Sequence, residues 1–387
     1  MVTPFDDIVS WLISANTEHN GLRTLSSELV SKIRETGVPV DRFNIGVFAV
    51  HPEMAGYAVI CGEGVQEAIE VPIRREDTLK PLYISSPIRH LVELRESLFF
   101  DLENPDAGSD YPVLDEFRVK GFTQYLGFPL PYSDDGIAIL TVCTKRPGGL
   151  KAEEIDELKK LFPVLSLLIS VVESKRLAKT VLRTYLGLNI GERVLAGEIL
   201  RGQGETVQAA LWLCDLRDST AMTCEIGSIP MIEVLNQYFD CMAEAVWGEG
   251  GEILKFMGDA MLVIFRIDDV VSQEEAAIRS VRSAETALLR LSELSEARVS
   301  GGLKPLCASV ALHLGEVVYG NIGASRRLDF TVMGEAVNLL ARVQHLTGEI
   351  GEEILYTRAI ADRLDRSSQP VGRYEMKGVP DLVEIFR

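Results

Sequence analysis

Glu252-Ile-Leu-Lys-Phe-Met-Gly-Asp-Ala-Met-Leu-Val-Ile-Phe265 sets two apolar runs against each other across a Gly-Asp pair, which predicts a β-hairpin turning at Gly258-Asp259. Two-residue hairpin turns need a positive φ, which glycine adopts without steric cost and aspartate more readily than most residues. Asp259 therefore belongs at or beside the tip, with its carboxylate outward. Strict alternation puts Lys255 on one face with Ile253 and Met257, so its ammonium either reaches into a pocket or is a solvated lysine on a half-covered sheet.

Upstream, Ala209-Ala-Leu-Trp-Leu-Cys214 reads as a strand ending at Asp215, followed by Leu-Arg-Asp-Ser-Thr220 and a long helical pattern. A second carboxylate thus stands at a strand end, beside a prospective helix start where metal ions or phosphates can approach. Two carboxylates on separate strand termini suit a pair of divalent cations holding a triphosphate. Downstream, Asp329-Phe-Thr-Val-Met-Gly-Glu-Ala-Val-Asn-Leu-Leu-Ala-Arg342 places Asn338 and Arg342 four residues apart, on one face of a helix.

In this order, the three segments resemble the catalytic domain of the class III nucleotidyl cyclases, the adenylate and guanylate cyclase family, over residues 207–387. The family's strand-Asp motif falls on Leu213-Cys-Asp-Leu-Arg-Asp-Ser-Thr220, its Lys-Phe-x-Gly-Asp hairpin on residues 255–259, and its Thr-Val-x-Gly-x-x-Val-Asn-x-x-x-Arg helix entry on residues 331–342. Each fragment alone is common in domains that catalyse nothing. The resemblance implies an α+β fold, a ferredoxin-like βαββαβ sandwich with additions, and the alternation of strand and helix suits it. Met231, Val234, Leu235, Tyr238 and Met242 form one buried helix stripe, and Ser272-Gln-Glu-Glu275 reads as a capping box opening a helix to about residue 294. A loop at 296–304, strands at 306–314, 316–320, 328–333 and 354–356, and closing strands near 373–376 and 382–386 complete the reading.

The resemblance also implies a reaction in which the ribose 3′-oxygen attacks the α-phosphorus in line and expels pyrophosphate, with electrostatics and positioning supplying most of the catalysis. On the family's pattern, Asp215 and Asp259 would bind two Mg²⁺ or Mn²⁺ ions, Lys255 and Thr331 would recognise the purine, Asn338 would orient the ribose, and Arg342 would stabilise phosphate charge in the transition state. Leu216, Ser219 and Thr220 would offer backbone amides to the phosphates, while Lys377 is either a ligand of the terminal phosphates or a solvated lysine. Asp218 stands where many relatives carry glycine, an unfavourable charge near a triphosphate unless it points away or caps the following helix. Adenine presents an acceptor at N1 and a donor at its 6-amino group, matching an ammonium and a hydroxyl oxygen, whereas guanine asks for an acid. The expectation is an adenylate cyclase making 3′,5′-cyclic AMP from ATP, in a homodimer whose sites are each built from both copies. Cyclisation of GTP or of a pyrimidine nucleotide, and a nucleotide-binding domain without turnover, stay open as alternatives.

At 387 residues and 47% apolar, the chain has length and material for two cores. Its 39 basic and 57 acidic residues give a formal charge of −18, which opposes nucleic acid and repels free ATP unless divalent cations accompany it. The N-terminus lacks the basic start and apolar core of a secretory leader, and the longest near-apolar run, 161–172, falls far short of the roughly 20 residues that span a bilayer. Six cysteines without Cys-x-x-Cys spacing and five histidines without ligand spacing complete the expectation of a reduced, cytoplasmic protein with no structural zinc and no transmembrane segment.

Residues 1–172 read as a mixed α/β segment, with helices over 8–13, 22–33 and 87–98 and strands at 43–50, 56–60, 125–130 and 136–143. A loop at 104–110 and a turn at 131–135 separate them. A mostly antiparallel sheet with flanking helices resembles a GAF-type sensor domain in layout, receiving an unidentified small-molecule or protein signal. His51, His90 and Cys61 read as structural residues, since nothing pairs with them. Residues 173–206 form a helical linker: an apolar rhythm through Leu165, Val172, Val181 and Tyr185 ends at Leu186-Gly187, and a short helix at 192–200 leads into the catalytic domain at 207–387. The long helix either aligns two copies or simply closes the sensor domain.

Overall fold

The computed structural model describes residues 3–14, 17–48, 54–62, 65–133 and 136–387, with side chains for all of these except 17–20 and 65–66. The chain divides into two compact units, Met1–Val181 and Leu182–Arg387.

In the first unit β1 (Arg42–Phe48), β2 (Met54–Gly62), β3 (Val65–Arg74), β4 (Leu98–Asp101), β5 (Gln124–Pro131) and β6 (Ile137–Thr144) form a sheet in the order β3-β2-β1-β6-β5-β4. All its pairings are antiparallel. β6 is buried along its whole length because both its faces are covered, hence its nearly unbroken apolar sequence. On one face Leu29 and Ile33 of the helix Thr17–Glu35, with Leu165 and Ile169 of the helix Phe162–Leu186, pack against Phe43, Ile45 and Tyr57. Leu114, Phe122, Tyr125 and Cys143 form a smaller core on the other face. β3 was not expected, and Glu67, Glu70 and Pro72 suit it to an edge, where charge and proline blunt pairing with other chains. The helix expected over 87–98 is only Pro87–Glu93; Arg95 takes φ 57° and Leu98 already begins β4. His51, residues 49–50 of the first expected strand, and residues 134–135 of the expected turn lie outside the described residues. His90 Nδ1 meets the Tyr111 hydroxyl at 3.0 Å, and burial pushes the Cys61 thiol up to about 11, which makes it unreactive.

In the second unit β7 (Gly204–Leu216), the helices Ser219–Ile226 and Ser228–Gly248, β8 (Glu252–Met257), β9 (Ala260–Ile267), the helix Gln273–Ser300 and β10 (Ala308–Ala324) succeed one another. These strands lie antiparallel in the order β10-β7-β9-β8, which is the βαββαβ arrangement. β11 (Arg327–Met333) folds back on the second half of β10, β12 (Ile354–Thr357) runs parallel to its first half, and β13 (Pro370–Tyr374) and β14 (Val383–Phe386) extend the edge. Met231, Val234, Tyr238 and Met242 are buried with Val281 and Leu291 against Trp212 and Val263 on one face. The opposite face receives Leu340, Val343 and Leu346 of the helix Glu335–Ile350 against Leu211, Leu262 and Ala311.

Ser272 Oγ accepts the Glu275 amide at 3.2 Å, the expected cap, but the helix runs on to Ser300 through residues expected as loop. β10 is one strand where two were expected: Gly315 is no turn, and a Cβ there would sit 2.8 Å from Ala336 Cβ, so it is glycine for close helix approach. β8 corrects the placement of Lys255. Ile253 pairs with Val263 and Lys255 with Leu262, leaving Leu254 as the extra residue of a β-bulge. Val263 and Leu262 belong to opposite faces, so the bulge turns Lys255 away from Ile253 and onto the side of Leu254 and Leu262. The helix Phe162–Leu186 ends before Gly187 (φ 85°), and the next, Leu188–Leu195, starts earlier than expected. No described helix is long and apolar enough to cross a membrane.

Candidate active site

Asp215 is the penultimate residue of β7, opposite Ala260 in β9 and Ser309 in β10. The hairpin joins Met257 to Ala260, and its positive φ (68°) falls on Gly258, as a type II′ turn requires. This turn lays Asp259 within hydrogen-bonding reach of Asp215, and Ser219 Oγ, at the start of the helix Ser219–Ile226, donates to Asp259 Oδ2. Burial first, then the negative charge of Asp259, push the Asp215 carboxyl up to about 6. The Leu216 side chain is buried, so only its backbone is available, whereas Thr220 is exposed. Asp218 takes φ 58° and ψ 20°, a left-handed conformation in which glycine is unstrained; its exposed side chain makes no capping hydrogen bond, which leaves pointing away as its accommodation.

Lys255 Nζ lies 3.9 Å from Asp329 Oδ2 on β11. Thr331 stands two residues further along β11, on the same side as Asp329. Its Oγ1 is buried without a hydrogen-bond partner, so a ligand reaches that hydroxyl only after neighbouring side chains move. The sequence reading gave Asp329 no role, and its position as the partner of Lys255 follows from the bulge in β8.

Asn338 is exposed and Arg342 half-buried, one turn apart on the helix Glu335–Ile350, and among the described residues neither side chain has a hydrogen-bond partner. An Arg342 guanidinium nitrogen lies 3.8 Å from the position of a Gly378 Cβ, beside the exposed Lys377. Residues that sequence reasoning missed hold this helix in place. Gln344 Nε2 donates to Ser309 Oγ at 2.9 Å and Thr347 Oγ1 to the same oxygen at 2.8 Å, and Ser309 is the residue opposite Asp215. Arg217 donates to the Glu352 carbonyl at 2.6 Å and fastens the segment after Asp215 to the chain just past the helix end. The available signal was polar side chains at positions whose neighbours are buried and apolar.

Among the described residues no hydrogen bond or ion pair joins Asp215, Asp259 or Ser219 to Lys255, Thr331, Asn338, Arg342 or Lys377. Within one chain the carboxylate pair is therefore not engaged by these donors. The pair fits a hard divalent cation: two oxygen-donor acids repel each other in a half-buried place, and added positive charge offsets that repulsion. No third His, Cys, Asp or Glu completes a metal cluster among the described residues, which leaves the other ligand positions to water and phosphate oxygens, as Mg²⁺ accepts.

Residues 203–386 match the family profile described as the adenylate and guanylate cyclase catalytic domain. A protein of Anabaena cylindrica described as an adenylate cyclase is 32% identical over 164 residues, covering 42% of this chain and 32% of that protein. The crystal structure of the guanylyl cyclase Cya2 is 31% identical, covers 47% of this chain and 92% of that one, and has a TM-score of 0.42. A bacterial light-regulated adenylyl cyclase structure, 19% identical, covers 67% of this chain and 85% of that one with a TM-score of 0.50, a likeness of fold. The chain spans about a third of the length of the Anabaena relative. Residues 203–386 belong to the class III nucleotidyl cyclase family.

Proposed function

We propose that the chain is an adenylate cyclase converting ATP to 3′,5′-cyclic AMP and pyrophosphate at two equivalent sites between two copies of its second unit, under the control of a GAF-like sensor in the first. Residues 1–172 are the sensor, 173–206 the linker and 207–387 the catalytic domain in this reading. The observation that carries it is the Asp215–Asp259 pair with Ser219 beside it, a half-buried concentration of negative charge at a strand end. Two Mg²⁺ or Mn²⁺ ions held by Asp215 and Asp259 would lower the pKa of the ribose 3′-hydroxyl and neutralise the triphosphate. Ser219, Thr220 and the Leu216 backbone border the phosphates. Asn338 orients the ribose, Arg342 meets charge developing on the phosphate, and Lys377 reaches the terminal phosphates.

The lack of any hydrogen bond or ion pair between the two sets among the described residues supports shared sites: a two-fold axis would bring the carboxylates of one copy to the donors of the other. The base is recognised by Lys255, donating to adenine N1, and Thr331, whose unpartnered hydroxyl accepts from the 6-amino group. Relatives of similar identity are described as cyclases of either purine, so the choice of ATP rests on these two residues. One observation favours GTP instead: Asp329, beside Lys255, is an acid of the kind guanine N1-H and N2-H demand. Mass spectrometry of the products formed by the full chain from an equal mixture of ATP, GTP, CTP and UTP with Mn²⁺ separates these readings. Cyclic AMP as the main product supports the proposal, and cyclic GMP, a cyclic pyrimidine nucleotide or no product overturns it.

A further inference from the structure

A cavity of about 390 Å³ in the first unit is lined by Phe48, Tyr57, Tyr132, Glu173, Arg176 and Leu177, among others. Glu173 is the anomalous residue. It follows Leu165 and Ile169 at four-residue intervals on the buried stripe of the helix Phe162–Leu186, where packing calls for an apolar side chain, and it is only 6% exposed. The Tyr57 hydroxyl donates to Glu173 Oε1 at 2.5 Å. No cation pairs with the carboxylate among the described residues: the Arg176 guanidinium lies 3.9 Å from the centre of the Tyr57 ring and donates to Glu70 Oε1 at 3.0 Å. A group able to accept about four hydrogen bonds thus has one protein donor among the described residues and borders an open cavity, a costly arrangement for packing alone.

We propose that this cavity binds a protonated organic amine with an apolar or aromatic body, its ammonium on Glu173 and its body among Phe48, Tyr132 and Leu177. The volume lies within the range of small-molecule sites, and one buried charge in apolar walls is how such sites fix orientation. Arg176 is ion-paired with Glu70 and acts on Glu173 only at a distance, which leaves the Glu173 carboxylate at the cavity without a contacting cation among the described residues. Burial pushes its carboxyl pKa upward, so a contacting ammonium relieves the cost of the charged form. The Tyr132 ring adds a face that attracts a cation.

Isothermal titration calorimetry of the full chain with phenethylamine, 2-phenylethanol and 3-phenylpropionate tests this without any measurement of turnover, so failure leaves the cyclase reading untouched. Phenethylamine should bind at least about tenfold more tightly than either other probe, the distinction a buried charge contact supports. Glu173→Gln should lower its affinity at least about tenfold, and Leu177→Trp, which narrows the cavity and leaves Glu173 in place, should do the same. No binding of the amine, equal binding of all three probes, preference for the carboxylate, or amine binding that either variant leaves intact would each overturn the proposal.

Discussion

Asp215 in the second unit and Glu173 in the first are both acids withdrawn from water with no contacting cation among the described residues, yet they are kept in opposite ways. Asp215 lies against a second carboxyl, so its surroundings repel its charge, and Ser219 is committed to Asp259. Glu173 lies against a phenol that donates to it, so its charge is partly satisfied. The first arrangement is stable only with added positive charge, whereas the second needs its tyrosine. An acid facing an acid marks a place for cations; an acid facing a hydroxyl in a cavity marks a place for one donor more.

The largest effect is expected at the Asp215–Asp259 pair. Asp259→Ala should lower cyclic nucleotide formation by about two orders of magnitude or more, and excess chelator should do the same to the unaltered protein. Undiminished turnover in either experiment would remove the cation from the account. Next in size is a test of sharing between copies. Asp215→Ala and Arg342→Ala should each be nearly inactive alone, while after random subunit exchange about a quarter of the original activity should return, because half the dimers are mixed and half their sites intact. No recovery despite demonstrated exchange would mean each chain completes its own site.

Tyr57→Phe addresses the second acid directly. It leaves Glu173 with no protein donor and should lower stability in urea unfolding by about 1–3 kcal/mol. A neutral result would show that the hydroxyl contributes nothing there. Asp215→Asn should do the reverse in chelator: turnover is lost, but the metal-free protein gains stability at neutral pH because one of two repelling charges is gone. Asp215 is an acid whose folded pKa, about 6, lies above its usual 3.8, so the native state holds more protons between those values. Stability should therefore decline as pH rises from about 4 to 6 and stay lowered above that range, by about 1 kcal/mol once partial exposure is allowed for. The Asn variant should lose that slope in thermal unfolding, and a slope of equal size in both proteins would refute the assignment. The smallest effect is expected at Asp218→Gly, which relieves a left-handed φ of 58° and should stabilise the chain by up to about 1 kcal/mol in the same scan. Destabilisation would mean that the Asp218 side chain makes a favourable contact.

Much of the second unit was legible because its signals are local. The Gly258-Asp259 turn, the strand ending at Asp215, the Ser272 cap and the stripe from Met231 to Met242 each depend on residues within a few positions of one another, and each appears in the structure. The misreadings share a cause as well. Gly315 looks like a break in sequence and is instead a point of close approach by Ala336, a residue on another element. β3 alternates as a strand should, but its charges and proline make sense only at an edge.

Readable from the chain alone are most of the strand and helix order in the second unit, the candidate acids and donors, and the family to which they point, because hydrophobic period, turn chemistry and motif spacing are properties of neighbouring residues. Which face Lys255 occupies is settled by strand pairing, since a bulge is a mismatch between two strands and neither strand encodes it alone. Packing between elements likewise brings Asp259 beside Asp215, has Ser309 tie the Asn338 helix opposite Asp215, and sets Glu173 at a cavity with Tyr57. Those are distances between residues far apart in the chain, set by how whole elements pack, and no local pattern carries them.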